Sequence, residues 1–198
     1  LSDKINYMAM LGNNLSQLGV SAAQLDNHLQ TTSFMVNWLP TTGEFGYLGT
    51  FGDFDYHEHV ATRLGGHYTQ SLEDRQEQPG TNSIENTQIR LTDGSIIFTP
   101  DLFGPGITVE NVHYDMASID AGVKYRGFAL EVEHYWRKLS DFNGTNVGGI
   151  ADIHDHGFQA QFSAMAIQKI LQPYVSGAAI QGRFGNASEV RAGANWYF

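Results

Sequence analysis

Cysteine is absent from the sequence, which excludes disulfide bonds, thiolate zinc sites and cysteine nucleophiles. Charge is scarce as well: Asp, Glu, Lys and Arg make up 16% of the 198 residues, against about 25% in an average soluble domain. Basic residues are the rarer sign, with 11 Lys and Arg against 21 Asp and Glu, so the net charge is −10. Such a chain offers no basic stripe to a phosphate backbone, and we expect no nucleic-acid partner.

Long apolar runs are also missing. No window reaches the about 18 apolar residues that a membrane helix needs, so any crossing of a membrane must use β-strands. The abundant residues suit strands, because 22 Gly and 12% aromatic residues favour twisted sheets over helices. The chain begins at Leu1 without a Met or an apolar leader, and we expect that a secretory signal has been removed. The composition predicts one all-β domain over residues 1–198.

Alternation of apolar and polar residues marks the strands. Between Phe128 and Arg137, the even positions are apolar or aromatic and every full charge falls on an odd position. The same division recurs along the chain, so each strand has one apolar and one polar face. The eight strands predicted in this way cover residues 4–13, 31–39, 60–68, 117–126, 128–137, 158–166, 171–181 and 190–198.

The predicted connections differ in length. Residues 125–127 and 167–170 are tight turns, whereas 13–30, 70–109 and 140–156 are long, polar and rich in Gly, Asn and Asp. Short turns at one end and long loops at the other are typical of outer-membrane β-barrels, in which the short turns are periplasmic. The pattern therefore predicts a transmembrane antiparallel β-barrel.

Two further connections add detail to this pattern. Asp93-Gly94, between apolar residues, predicts a hairpin inside the long loop 70–109. The connection 40–56 is longer than a periplasmic turn should be, and the sequence offers no account of it.

The aromatic side chains of the apolar face are predicted to stand in two belts, one at each end of the strands. Such belts are the girdles that flank the lipid-facing band of a membrane barrel. A soluble β-sandwich also alternates, but it has no reason to sort its rings by depth. The predicted interface aromatics are Trp38, Tyr125, Phe128, Trp196 and Phe198 on the periplasmic side, and Tyr68, Trp136 and Phe158 on the outer side.

The last eight residues read RAGANWYF. A polar residue, a Gly two positions on, and aromatic residues at the third-last and last positions form the signal by which the outer-membrane barrel-assembly machinery recognises its clients. Arg191, Gly193, Trp196 and Phe198 supply these elements. We therefore expect this machinery as a partner, with Phe198 in lipid at the inner interface and the last strand paired with the first.

Four segments carry a resemblance to a known family: residues 34–46, 63–68, 124–137 and 195–197, which read FMVNWLPTTGEFG, RLGGHY, KYRGFALEVEHYWR and NWY. They resemble the C-terminal half of the phosphate-selective porins. The resemblance implies a sixteen-stranded, trimeric barrel that carries small solutes passively through a water-filled lumen. Only eight strands are visible here, so the chain is either part of such a barrel or a complete small one.

Charged residues on the polar face form the candidate site. In a lumen they would line the pore and create a transverse field that orients solutes. The alternative is that they pair and plug an eight-stranded interior, which is just wide enough for side chains. The predicted pore-lining residues are Arg63, Lys124, Arg126, Arg137 and Arg191, opposite Asp120, Glu131 and Glu133. Because Lys and Arg are few, anion selectivity by a lysine ladder is not expected.

Metal and enzyme chemistry find little support. His57-Glu58-His59 and residues 152–156, Asp-Ile-His-Asp-His, alternate imidazoles with carboxylates, but we expect solvated histidines rather than a metal site. His134, the only outward histidine predicted, has no Ser or Asp at matching depth on its own strand. With no Gly-rich phosphate loop and no nucleophile elbow, we expect neither an enzyme nor a cofactor.

Together these features predict a porin in the outer membrane of a Gram-negative bacterium, passing small hydrophilic solutes and ions by diffusion. The expected partners are outer-membrane lipid and lipopolysaccharide, the assembly machinery, further copies in a homotrimer and the solutes themselves. One alternative is a small closed eight-stranded barrel whose extracellular loops mediate binding or adhesion. A secreted, soluble β-sandwich is a third alternative.

Overall fold

The computed structural model describes residues 4–15, 29–46, 51–75, 84 and 86–197. Eight strands form one antiparallel sheet in which each strand pairs with the next along the chain, and this confirms the predicted all-β class. The strands are β1 (Ile5–Gly12), β2 (Thr31–Trp38), β3 (Ala61–Asp74), β4 (Thr108–Tyr125), β5 (Phe128–Thr145), β6 (Ile153–Ala164), β7 (Leu171–Gly182) and β8 (Gly185–Trp196). In the described part of the chain, no helix has the length and apolarity to cross a membrane.

Strands β3, β4 and β5 run further than alternation predicts. β3 continues to Asp74, β4 begins at Thr108, and β5 ends at Thr145. Polar residues such as Asn111 and Ser140 interrupt the alternation in these added stretches, and the pairing of β4 with β5 shifts register on both sides of Asn111. Backbone pairing therefore continues where the side-chain period of two is lost.

An apolar cluster lies beside the added stretches. The two arms of the hairpin predicted at Asp93-Gly94 contribute to this cluster. Arg90 and Ile96 pair across the turn, and Gly94 has a φ of +89°. This confirms the hairpin expected inside the long loop. The buried members of the cluster are Ile89, Leu91, Ile97, Phe98, Val109, Val112, Leu139 and Ile153.

The lengths of the connections follow the prediction only in part. The β4–β5 turn is tight as expected, with Arg126 at a φ of +47° and Gly127 at +85°, both suited to a two-residue hairpin. Arg183-Phe184 is an equally tight turn at the opposite end, where long loops were expected, and residues 39–60 form a long connection at the end expected to be short. The end of the sheet at Arg126-Gly127 is called the turn end below, and the other the loop end.

The sheet is not closed. Among the described residues β1 pairs only with β2, and β8 only with β7, so the expected pairing of the last strand with the first is wrong here. A physical reason is the connection between β2 and β3, whose described parts, residues 39–46 and 51–60, lie against the sheet instead of outside it. An eight-stranded barrel has room for side chains but not for a chain segment as well.

The two faces of the sheet differ sharply. On one, termed the apolar face, aliphatic and aromatic side chains are exposed, as at Ile119 (57%) and Val175 (46%). On the other, termed the polar face, Lys124, Glu131 and Ser163 are buried. This is the reverse of a soluble sheet, which buries its apolar face.

Candidate functional site

An ion-pair cluster on the polar face joins β3, β4 and β5. The Arg63 Nη2 atom lies 2.9 Å from Asp120 Oδ1 and 2.9 Å from Glu131 Oε2. His67 Nε2 lies 2.8 Å from the other Asp120 oxygen. Gly65 pairs with Asp120, and a Cβ on Gly65 would fall 1.8 Å from the Asp120 carboxylate, so the glycine makes the room that the carboxylate occupies. Asp120 thus lies beside Arg63 on the adjacent strand β4, and Glu131 lies on β5, one strand further. The sequence had instead led us to expect the acids opposite Arg63.

The long connection between β2 and β3 folds back over this cluster. It is termed the inserted segment and comprises residues 39–60, described except for 47–50. Its Phe45 ring is buried, with the Lys124 ammonium 4.4 Å and the Arg63 guanidinium 5.1 Å from its centre. Lys124 also donates a hydrogen bond of 2.8 Å to the Phe45 carbonyl oxygen. Gly122 lies below the ring, where a Cβ would be 2.5 Å from it.

Asp53 anchors the inserted segment at the turn end. Its fully buried carboxylate accepts hydrogen bonds from the Gly127 backbone N–H at 2.7 Å and from the His57 backbone N–H at 3.1 Å. The Arg126 N–H in turn donates to the His57 carbonyl oxygen at 2.9 Å. Two backbone N–H groups of the β4–β5 turn, those of Arg126 and Gly127, are therefore satisfied by hydrogen bonds to the inserted segment. These bonds hold the segment against the turn.

The His57 imidazole lies between two carboxylates. Its Nδ1 contacts Asp53, and its Nε2 is 3.0 Å from Glu44. Burial lowers the pKa of His57, but the hydrogen bonds to Asp53 and Glu44 outweigh burial and raise it above 6.5. Burial raises the pKa of Glu44, but the hydrogen bonds from His57 and the Gly46 N–H outweigh it and lower the value below 4.5.

A second anchor holds the Phe51 carbonyl oxygen. It accepts hydrogen bonds from Ser163 Oγ at 2.6 Å, Gln172 Nε2 at 2.8 Å and Gln161 Nε2 at 3.4 Å. Nearby, the ring of Phe54 packs edge-on against Tyr197, with 4.5 Å between centres. The inserted segment is thus fixed to β6, β7 and the residue after β8 as well as to β4.

The other predicted pore-lining residues are not all part of the Arg63 cluster. Arg137 pairs with Asp155, Glu133 accepts a hydrogen bond of 2.6 Å from Gln159, and the exposed Arg191 pairs with Glu189. Arg126 lies in the β4–β5 turn with its guanidinium 5.2 Å from the Tyr125 ring centre. It is therefore separate from the charges on the polar face.

A cavity of about 440 Å³ opens on the polar face. It has a mixed lining of charges and amides, the latter including Gln159 and Gln161. Lys124, Arg126 and Arg137 lie outside it. The predicted pore-lining residues that do border this cavity are Arg63, Asp120, Glu131, Glu133 and Arg191.

The predicted interface aromatics that the structure describes all lie on the apolar face. Phe198 lies outside the described residues. Phe128 stacks on Phe162 across β5 and β6 with 6.1 Å between ring centres, and Trp136 contacts His134 at 4.4 Å. The exposed fractions are Trp38 49%, Tyr68 43%, Tyr125 38%, Phe128 54%, Trp136 46%, Phe158 46% and Trp196 59%.

The histidines singled out in the sequence differ in their exposure. His59, His154 and His156 are exposed, as expected, but His57 is buried, so the expectation of a solvated side chain is wrong for it. Its partners lie four and 13 positions away in a stretch without periodicity, and only the Asp53–His57 spacing hinted at the contact. Within the described ranges no group of three His, Cys, Asp or Glu could hold a metal ion.

No protein-family model matches the chain, and neither a curated protein nor a solved structure matches it. A function can therefore be inferred only from the chain's own residues and geometry.

Proposed function

We propose that this chain forms the wall of an outer-membrane porin of the phosphate-selective porin type, with its apolar face in lipid and its polar face towards a water-filled lumen. The observation that carries the proposal is the reversed sheet, in which apolar side chains are exposed along whole strands while charges are buried on the other face. In water such a face would be costly, because contiguous exposed apolar surface drives association. In lipid the same face is solvated.

The register of the strands agrees with this proposal. From Trp38, paired residues lead through six strand steps to Val190 of β8, and Trp196 lies six residues further on. If both tryptophans stand at one depth, steps of about 4.8 Å across and about 3.3 Å along give a tilt of about 35°. Membrane barrels tilt their strands by about 35–45°.

Passive diffusion of small hydrophilic solutes and ions is the activity that fits the polar face. Its cavity is bordered by charges of both signs and by amides, a lining that water and polar solutes wet. Within the described residues the outer edges of β1 and β8 are unpaired, which supports a larger barrel in which further strands complete the wall. Lipopolysaccharide and lipid around the apolar face, the assembly machinery at the last strand, and a homotrimer complete the proposal.

Conductance tests the proposal. Protein purified from native outer membranes is inserted into a planar bilayer under a salt gradient, where stepwise openings are expected and the reversal potential gives the ion preference. Correctly inserted protein that stays silent would overturn the porin proposal and favour a closed barrel with binding loops. Protein that remains monodisperse in buffer without detergent would overturn the membrane location itself.

A further inference from the structure

We infer that the polar face of β6, β7 and β8, together with Phe51, forms a binding site for a neutral, hydroxyl-rich solute, in chemical terms a sugar or oligosaccharide. This inference rests on the proposed function, because in the membrane a transported solute meets this face only if the face lines a lumen. It goes beyond diffusion by naming the class of solute and the surface that receives it.

Hydrogen bonds to the backbone carbonyl hold Phe51 in place, while the residue stays half-exposed. Three side-chain donors from β6 and β7 converge on its carbonyl oxygen, yet 47% of the residue is exposed. At the next residue, Gly52, a Cβ would lie 2.4 Å from Gln172 Nε2, so the amide occupies the space that a side chain would need. An apolar ring fixed half-exposed among polar groups contributes little to a core, and its open face is available to a ligand.

Amides and tyrosines flank this ring in a cavity of about 370 Å³. Gln172 Oε1 accepts hydrogen bonds from Tyr197 Oη at 2.5 Å and Asn195 Nδ2 at 3.2 Å, so these two side chains are pre-positioned. The Tyr174 ring lies across β8 against Gly193, where a Cβ would be 2.7 Å from the Tyr174 hydroxyl. Within the described residues the Tyr174 hydroxyl has no hydrogen-bond partner, and it can bond to a solute instead.

The chemistry of this lining matches a saccharide. A sugar ring presents C–H groups on its faces, which pack on Phe51, and hydroxyls at its rim, which both donate and accept. An amide such as that of Gln161 also does both, since it carries two N–H donors and a carbonyl acceptor, and a tyrosine hydroxyl does the same. Ring and hydroxyl partners thus lie side by side around one cavity.

The charges on this face argue against an anionic solute. Phosphate is recognised by cations that have no other partner, above all by the guanidinium fork of arginine. Here the Arg191 guanidinium lies 2.7 Å from Glu189, and that of Arg63 lies between Asp120 and Glu131. These two guanidiniums lie beside three carboxylates, so the face has no excess of positive charge to attract an anion, which suits a neutral solute.

Single-channel recording with maltohexaose as the probe tests the site. We expect interruptions of the ion current whose frequency rises with maltohexaose concentration, and weaker interruption by tripolyphosphate. Phe51→Ala removes the ring but keeps the clamped carbonyl, and should weaken binding about tenfold or more. Tyr174→Phe removes one hydroxyl but keeps the ring against Gly193, and should weaken it about three- to tenfold. Tyr56→Ala, an exposed ring of the same segment outside this cavity, should leave binding unchanged.

Calorimetry of maltohexaose binding in detergent separates the two proposals. Binding that depends on Phe51, in a protein that does not conduct, would overturn the porin function and leave the site standing. Steady conductance without block or heat of binding would overturn the site and leave the porin function standing. Block that is stronger with tripolyphosphate, or equal in Phe51→Ala and wild type, would also overturn the site.

Discussion

The two faces of the sheet are built by different rules from the same strands. On the apolar face, residues such as Ile119, Leu130 and Phe162 are exposed and make no directed bonds. On the polar face, Arg63 and its carboxylates form ion pairs, and the inserted segment is held by hydrogen bonds with defined partners. Most of the directed bonds therefore lie on the polar face, while the apolar face has few, such as the 2.6 Å hydrogen bond from the Tyr68 hydroxyl to Asp115.

A charge on the apolar face should have the largest effect. Ile119→Arg places a guanidinium in the middle of β4, where 57% of the side chain is exposed. In lipid this should cost about 2–4 kcal/mol of unfolding free energy. Gln159→Arg is the control, because it puts the same charge on the polar face beside Glu133. Equal unfolding free energies of the two variants in lipid vesicles would refute the assignment of the faces.

Loss of the buried Asp53 anchor should have the second largest effect. Asp53→Asn removes the charge that accepts hydrogen bonds from Gly127 and His57, and should destabilise the attachment of the inserted segment by about 1.5–3 kcal/mol. Proteolysis within the segment should become faster and single-channel conductance larger. Glu58→Gln, which is exposed in the same segment, should change neither quantity. An unchanged cleavage rate in Asp53→Asn would show that this anchor does not hold the segment.

Closing the space below Phe45 should have the next largest effect. Gly122→Ala places a methyl group 2.5 Å from the ring and should cost about 1–3 kcal/mol through overpacking. Gly66→Ala on β3 is the matched control, since nothing lies within 4 Å of its new Cβ, and it should change stability by about 0.5 kcal/mol or less. Thermal unfolding of both variants measures the contrast, which vanishes if Phe45 does not pack on the sheet.

The smallest effect should be that of pH on the inserted segment. The raised pKa of His57 gives stability that is full below 6.5 and lost as pH rises through the raised value. The lowered pKa of Glu44 gives stability present above 4.5 and lost as pH falls through the lowered value. Asp55 and Lys124 also face this group around Gly46.

We therefore expect the strongest protection of the segment's amides, measured against their intrinsic exchange rates at each pH, between about pH 4.5 and 6.5. His57→Gln should remove the loss of protection on the alkaline side and weaken the loss on the acidic side, because the bond from His57 is one cause of the lowered pKa of Glu44 and the Gly46 N–H is another. A wild-type profile without the alkaline loss would contradict the role of His57.

The sequence predicted what depends on short-range periodicity. The eight strands, their two faces and the exposed aromatics follow from a period of two, which acts within each strand. The path of the inserted segment could not be predicted, because its contacts link residues far apart, as Asp53 and Gly127 are, and no period marks them. Lys124 was correctly assigned to the polar face, but its burial under Phe45 depends on that path. The open edges at β1 and β8 could not be predicted either, because they depend on the inserted segment that lies against the sheet.

Tryptophan quenching tests the central claim, that the apolar face meets lipid, most directly. The chain has three tryptophans, Trp38, Trp136 and Trp196, all of them on the apolar face and exposed by 49%, 46% and 59%. In vesicles of lipids brominated near the headgroup, we predict strong quenching of their fluorescence and little quenching by aqueous iodide. Quenching by iodide with no effect of the brominated lipids would place this face in water and contradict the account.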